Sequence, residues 1–261
     1  MNFGTITREQ LQTMFVAGRE VLDWQRVLAK TGDNIVKELL PTEGTFYEFQ
    51  HCPPGDIYDR ETHSQFYYHA HRKGEHGHFH TFLREKGMPD GVHPVEQSES
   101  EAMRQRDDKY CHIVAISMDR KGFPIGLFTT NRWVTGENWY AADDVCAILD
   151  CFNIDHAQPS WATNRWVSAM LRLFRPQIME LLHERDAVVA DWRKRHKDKD
   201  AYEDRGLDLP SHVKISVERQ MRGVEDVLTA HDRAISSRLR YGRAGHHDGN
   251  VPSRNEFTWP F

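Results

Sequence analysis

The amino-acid sequence predicts an α+β protein, in which an antiparallel β-sheet or half-barrel is flanked by N-terminal and C-terminal α-helices. Apolar residues recur at helical spacing before residue 40 and again after residue 140. Between these regions, aromatic and polar residues alternate along the chain, which is typical of half-buried strands. Short glycine-containing turns join the alternating runs, so neighbouring strands are expected to be antiparallel.

The N-terminal region is predicted to be helical. Thr7 and Gln10 have the spacing of a capping box, which places the start of the first helix. An apolar stripe continues this helix to about Gly32, through Leu11, Met14, Phe15, Gly18, Val21, Leu22, Trp24, Val27 and Leu28. A short second helix is expected from Asn34 to Leu40, because Pro41 follows it.

The central meander is expected to cover about residues 45–140. Its hairpin comes from the aromatic-rich chain after Ile57, with a loop predicted before it at 52–56 and a short helix after it near 99–106. The other predicted strands are an early one at 45–49, an inner one at 111–118 that is apolar on both faces, one at 125–133, and an extension at 134–140.

Beyond Tyr140 the apolar period returns to that of a helix. A helix at 141–152 precedes a long helical stretch that Pro176 kinks or restarts. We predict one domain over residues 1–241 and a mobile or partner-clasping tail at 242–261. The domain divides into helical, β and helical parts at 1–40, 45–140 and 141–241, and the last helix is expected at 215–241.

Composition excludes several functional classes. The net charge of −5 and isoelectric point near 6.3 predict no nucleic-acid partner. No apolar run is long enough for a membrane span, and no basic segment followed by an apolar one begins the chain, so neither membrane insertion nor secretion is expected. The four cysteines form no C-x-x-C pair, which predicts reduced thiols and a cytoplasmic location. A homo-oligomer is compatible with this composition.

The most informative feature is a cluster of histidines at the predicted hairpin. With Lys73-Gly74 at its tip, the facing pairs are 71 with 76, 69 with 78, and 67 with 80. Side chains repeat every two residues along a strand, so the hairpin histidines are all expected on one face of the sheet. These histidines are His69, His71, His76, His78 and His80.

Clustered imidazoles predict a metal centre. Directly opposed residues have Cβ atoms about 5 Å apart, so several imidazoles can share one ion. The best three ligands are His69, His71 and His78, followed by His76, with His80 a fourth ligand or an outer residue. Fe or Cu is favoured, and Zn, Ni or Mn also fit. A solvated or pH-sensing histidine face is the alternative to metal binding.

Three further side chains are candidate catalytic groups. Tyr67 faces the histidine side and can donate a proton or pack. Glu75 can turn inward as a carboxylate ligand, or stay exposed at the turn beside Arg72. Arg132 has the planar fork that binds a substrate carboxylate or phosphate, although an ordinary Arg–Glu pair is equally compatible. Whether His112 joins the histidine face depends on strand register, and residues 131–137 form a candidate opposite wall.

Two resemblances add to this interpretation. The spacing His69-x-His71-x-x-x-Glu75 is similar to the first metal motif of the cupins, β-barrels that hold a metal through histidines and a glutamate. Thr129 stands where the second cupin motif would place a histidine. More of the chain resembles a bacterial family of unknown function, through Tyr67-Tyr68-His69-Ala70-His71-Arg72, Glu75-His76-Gly77-His78-Phe79-His80-Thr81-Phe82 and Thr130-Asn131-Arg132-Trp133-Val134-Thr135-Gly136. That family implies no reaction.

Together these patterns favour a metal-dependent enzyme with Fe or Cu redox chemistry, such as an oxygenase acting on a small-molecule substrate. A zinc hydrolase is the second enzymatic interpretation, with Glu75 as the nearby general base. A non-catalytic metal-binding protein for storage, delivery or sensing is the rival class, and a helical protein-interaction module is a third.

Overall fold

We describe a computed structural model of the chain over residues 6–40, 50–72, 74–95 and 100–244, with side chains described as far as residue 233. The fold is α+β, as the sequence predicts, with helices flanking an open antiparallel sheet. In these segments the sheet has six strands, whose spatial order follows their order along the chain. They are β1 (Cys52–Tyr58), β2 (Ser64–His69), β3 (Gly77–Arg84), β4 (Tyr110–Met118), β5 (Pro124–Thr129) and β6 (Ser211–Lys214).

The described helices pack around the sheet and against one another. They are α1 (Arg8–Ala29), α2 (Glu101–Arg104), α3 (Arg132–Thr135), α4 (Ala142–Ile148), α5 (Trp161–Leu173), α6 (Arg175–Arg195) and α7 (Val217–Ala244). The predicted capping box is present, because the Thr7 hydroxyl accepts from the Gln10 N–H and the Gln10 side chain accepts from the Thr7 N–H. A break at Phe174 separates α5 from α6, where Pro176 indicates one.

The two faces of the sheet differ in chemistry. One face is apolar and carries Phe66, Tyr68, Phe79 and Leu83 into the main core, where Trp166 of α5 lies 5.7 Å from Phe79 between ring centroids. Because strand side chains alternate, the intervening residues of β2 and β3 lie on the opposite face. That second face carries the histidines.

Several predicted elements differ from the observed ones. The strand predicted at 125–133 ends at Thr129, because the Asn131 side chain caps the short helix α3, and the extension at 134–140 is not a strand. The segment 52–56, expected as a loop, belongs to β1, and the segment 34–40 forms turns instead of a helix. The strand predicted at 45–49 and the tail beyond residue 244 lie outside the described residues.

One strand comes from a part of the chain where none was expected. β6 pairs with β5 through Thr129–Ser211, Phe128–His212, Leu127–Val213 and Gly126–Lys214, so the sheet extends beyond the predicted β region. The Ser211 hydroxyl donates to the Leu181 carbonyl of α6, which ties this edge strand to the helices. Among the described residues no helix is long and apolar enough to cross a lipid bilayer.

Candidate metal centre

The hairpin between β2 and β3 has the predicted register. Tyr67 pairs with His80, and His69 pairs with His78. These four side chains therefore project from the same face, and their rings lie within 5.2 Å of a neighbouring ring in the group. Two of the three predicted facing pairs are confirmed.

The third predicted pair does not form, and the expectation of one shared face is wrong for His76. β2 ends at His69, and the N–H of His76 donates to the Met118 carbonyl of β4. The Nδ1 of His76 is 2.7 Å from the hydroxyl of Tyr68, which packs on the apolar face. His71 remains with the cluster, since its ring centroid lies 4.8 Å from that of His69.

The metal-competent group is His69, His78 and His80. One ligand nitrogen from each lies within 4.8 Å of the others, and the three residues are 7%, 0% and 1% exposed. For bonds of about 2.0–2.1 Å, tetrahedral geometry separates ligand nitrogens by roughly 3.4 Å. Small side-chain adjustments therefore suffice to bind one ion. His80, ranked below His71 from sequence, is the third member of this group.

The outer nitrogens of His78 and His80 are held by other side chains. The Nδ1 of His78 is hydrogen-bonded to the Glu75 carboxylate, so its Nε2 carries the lone pair. The Nδ1 of His80 is 2.9 Å from Nε2 of His112, whose Nδ1 is 3.3 Å from the Thr130 hydroxyl. Both imidazoles thus present Nε2 inward, and that of His80 is buried without a hydrogen-bond partner among the described residues.

The two inward nitrogens of the hairpin pair meet directly. Nε2 of His69 is 2.7 Å from Nε2 of His78. Since Glu75 holds the proton of His78 on Nδ1, the shared hydrogen belongs to His69. A metal ion that replaces this hydrogen would bind both nitrogens and release one proton.

Burial keeps the cluster neutral. Desolvation, followed by the charges of neighbouring histidines, lowers the pKa of His69 to about 2, and desolvation lowers that of His112 to about 3. The pKa of His80 falls for the same reasons, and the pKa of His78 falls through desolvation although Glu75 opposes the change. Neutral imidazole is the form that binds metals.

Glu75 lies inside the site and is not an exposed turn residue. Its side chain is 8% exposed. Burial alone would raise the pKa of this carboxyl, but hydrogen bonds from His78 and Ser117 and the charge of Arg72 lower it overall. The carboxylate is therefore ionised and holds His78, which is the usual role of a carboxylate beside a ligating histidine.

Tyr67 separates the cluster from a small cleft of about 190 Å³. Its ring stacks on His51 with centroids 3.6 Å apart, and Asp56 accepts from Nδ1 of His51. Desolvation and nearby acidic groups raise the pKa of Tyr67, so the phenol stays protonated. His51 is not among the residues predicted from the sequence, and the irregular pairing of β1 with β2 brings it beside Tyr67.

His112 reaches the histidine face because of an irregularity in the β3–β4 pairing. The register shifts between Thr81 and Phe82, so His112 pairs with Phe82. Its backbone N–H donates to a carboxyl oxygen of the buried Glu137 side chain. Burial raises the pKa of Glu137 to about 8 against the opposing charge of Arg185. Of the candidate opposite wall at residues 131–137, Glu137 therefore holds the backbone of His112.

Arg132 has other partners than the histidines. Its guanidinium lies 3.1 Å from Asp200 and 2.8 Å from Glu203, and over the ring of Tyr202. The side chain is 3% exposed, so these pairs anchor the loop before β6 to the start of α3. Its described contacts include none of the cluster histidines, and a role in binding substrate stays a prediction.

The fold and site define an α+β protein whose open antiparallel sheet carries a buried histidine cluster able to hold a metal ion. A family model, described as Domain of unknown function (DUF6969), matches residues 16–215 and therefore every strand of the sheet. The chain belongs to this family, in agreement with the expectation of an uncharacterised family. No curated protein and no solved structure matches the chain.

Proposed function

We propose that the protein is a metal-dependent enzyme whose ion is bound by His69, His78 and His80. The observation that carries this proposal is the convergence of three buried, neutral imidazoles, one of which directs an unpartnered Nε2 into the cluster. A buried polar atom without a partner costs about 1–3 kcal/mol, and a metal ion would remove that cost.

A three-histidine ligand set supports catalysis over storage. Catalytic zinc sites have three protein ligands and leave one coordination position for substrate or water, whereas structural zinc sites have four protein ligands. A groove of about 520 Å³ begins beside the cluster, where Glu75, Ser117 and Phe128 line it. If His71 is a fourth ligand, the open position is lost and a storage, delivery or sensing protein becomes the better description.

We favour Fe or Cu redox chemistry on a small molecule over zinc-dependent hydrolysis. Imidazole suits all of these metals. A hydrolase would need a general base near the open position, yet Glu75 is already hydrogen-bonded to His78. Tyr67 adds a protonated phenol beside His69 and His80, and such a group can donate a hydrogen bond to bound substrate. Zn, Ni and Mn remain alternative ions.

A cupin-like set of His69, His71 and Glu75 is a second candidate arrangement for the same ion. The ring of His71 faces those of His69 and His78, which supports it as a ligand. Glu75 would have to leave His78 in order to bind the metal. We also propose a cytoplasmic location, which the four unpaired cysteines support.

Metal analysis of histidine variants tests the proposal. Inductively coupled plasma mass spectrometry of purified protein should find one metal ion per chain in the parent protein. The variants His69→Ala and His78→Ala should contain no stoichiometric metal. His76→Ala is the matched control, because His76 belongs to the same hairpin but lies on the other face. It should keep its metal, and circular dichroism should show all three variants folded.

The outcomes separate the candidate functions. Absence of metal under every loading condition, or equal loss in His76→Ala, would contradict the metal centre. With metal bound, spectral changes on adding azide or nitric oxide would indicate an open position and favour the enzyme. A spectrum that does not respond would favour storage, and loss of metal in His71→Ala but not in a His80 variant would favour the cupin-like set.

A further inference from the structure

The histidine face continues across the sheet as two rows of cross-strand neighbours. Register aligns one residue from each of β2 to β6 in every row. Strands are about 4.8 Å apart, so such rows describe the floor of the face. The first row is His69, His78, Ser117, Gly126 and Lys214, and the second is Tyr67, His80, Ala115, Phe128 and His212.

Small residues in the middle of these rows leave the 520 Å³ groove open. Ser117 and Gly126 project little or no side chain, so a hollow separates the cluster from β6. Glu75 and Arg72 line the end beside the cluster, whereas Lys214 and His212 line the end at the sheet edge. Phe128 lies between them and contacts His78, with ring centroids 5.1 Å apart.

The groove carries an excess of positive charge. The Glu75 carboxylate is hydrogen-bonded to His78 and Ser117, and the charge of Arg72 lies near it. Lys214 is exposed and has no ion-pair partner among the residues that the structure describes. The guanidinium of Arg72 lies 4.9 Å from the Phe128 ring centroid, which leaves its donors available to the groove. A ligand with a negative end would complement this arrangement.

We propose that this groove binds the substrate of the enzyme, a small molecule with a carboxylate or phosphate at one end and an apolar or aromatic body. The anionic end lies at Lys214, the body lies over Gly126 and Phe128, and the other end reaches the cluster beside Glu75. Three strand spacings, roughly 14 Å, separate His78 from Lys214. A one-ring molecule and the lysine side chain together span that distance. That the bound molecule is a substrate rests on the proposed function, whereas anion binding by the groove does not.

Calorimetric titration with phenyl phosphate, benzoate and neutral benzyl alcohol tests the proposal. The two anions distinguish a phosphate from a carboxylate, and chelator-treated protein excludes direct binding of the anion to a metal. At least one anion should bind, and Lys214→Ala should weaken its binding about tenfold or more, as expected for a charged hydrogen bond. Lys30→Ala is the matched control, since Lys30 is an exposed lysine at the C-terminal cap of α1 and does not line the groove.

A second pair of variants tests the location without removing a charge. Gly126→Leu fills the groove and should abolish anion binding, whereas Gly126→Ala adds a Cβ that meets the Val213 carbonyl at 3.3 Å and should reduce it only slightly. Equal binding of benzyl alcohol, or unchanged affinity in both Lys214→Ala and Gly126→Leu, would overturn the proposal. Metal content is measured in parallel, because anion binding in a protein that never binds metal would refute the proposed function alone.

Discussion

Replacement of Glu75 tests how much the hydrogen bond to His78 contributes to metal binding, without removing a proposed ligand. In Glu75→Ala, His78 keeps its imidazole but loses the carboxylate that holds its proton on Nδ1. Removing such a partner typically weakens metal binding about 10–100-fold. Glu75→Gln keeps an acceptor but not the charge. A charged hydrogen bond contributes about 1 kcal/mol more than a neutral one, so we expect a loss of roughly fivefold.

Competition with a chromogenic chelator at neutral pH measures both affinities. Glu184→Gln serves as the matched control, because Glu184 is an exposed carboxylate in the middle of α6, and it should bind metal as the parent does. The expected order of affinity is parent, Glu75→Gln, Glu75→Ala. Parent-like affinity in Glu75→Ala would refute the idea that this carboxylate orients His78. Total loss in both variants would instead indicate that Glu75 is itself a ligand, as in the cupin-like arrangement.

Two further predictions concern stability. Gly77→Ala should lower the free energy of unfolding by about 2 kcal/mol in urea denaturation, since its Cβ would lie 2.6 Å from the His69 carbonyl oxygen and against the Tyr68 hydroxyl. Gly126→Ala should lower it less, since its Cβ would meet the Val213 carbonyl oxygen at 3.3 Å. Acid should destabilise the metal-free protein. The pKa of His112 is about 3 in the folded protein and has its ordinary value of 6.5 in the unfolded chain. Below pH 6.5 the unfolded chain therefore binds more protons, and the free energy of unfolding decreases as the pH is lowered. This residue alone should account for about 2 kcal/mol between pH 7 and pH 5. His112→Gln should reduce the dependence by about that amount, and the other buried histidines should supply the rest. An equally steep curve in the variant would contradict the assignment.

The hairpin could be derived from the sequence because it depends on local geometry. Two alternating runs joined by a tight turn allow few registers, and side chains of alternate residues must share a face. His69 with His78 and Tyr67 with His80 follow directly from that constraint. The helical stripes and the Thr7 cap are local in the same sense, and they placed α1 well.

The observed convergence of His69, His78 and His80 differs from the predicted ligand order where the chain leaves regular structure. Alternation continued to His71 and His76 in the prediction, but β2 stops at His69 and the turn sends His76 towards Tyr68. The sequence favours His71 and His76 over His80, which it makes a fourth ligand or an outer residue. Pairing with β4 gave it the fully buried position beside His112, and strand periodicity within one hairpin contains no information on that partner.

The sequence by itself determined the α+β class, the hairpin and the presence of several imidazoles on one face, because each follows from periodicity over a few residues. Only the tertiary structure decided which three converge, since this depends on β4 and on the shift that turns His112 towards His80. It also decided that Arg132 pairs with Asp200 and Glu203 and that Lys214 ends the groove. Contacts between distant segments depend on sheet register and packing, and no local pattern specifies those.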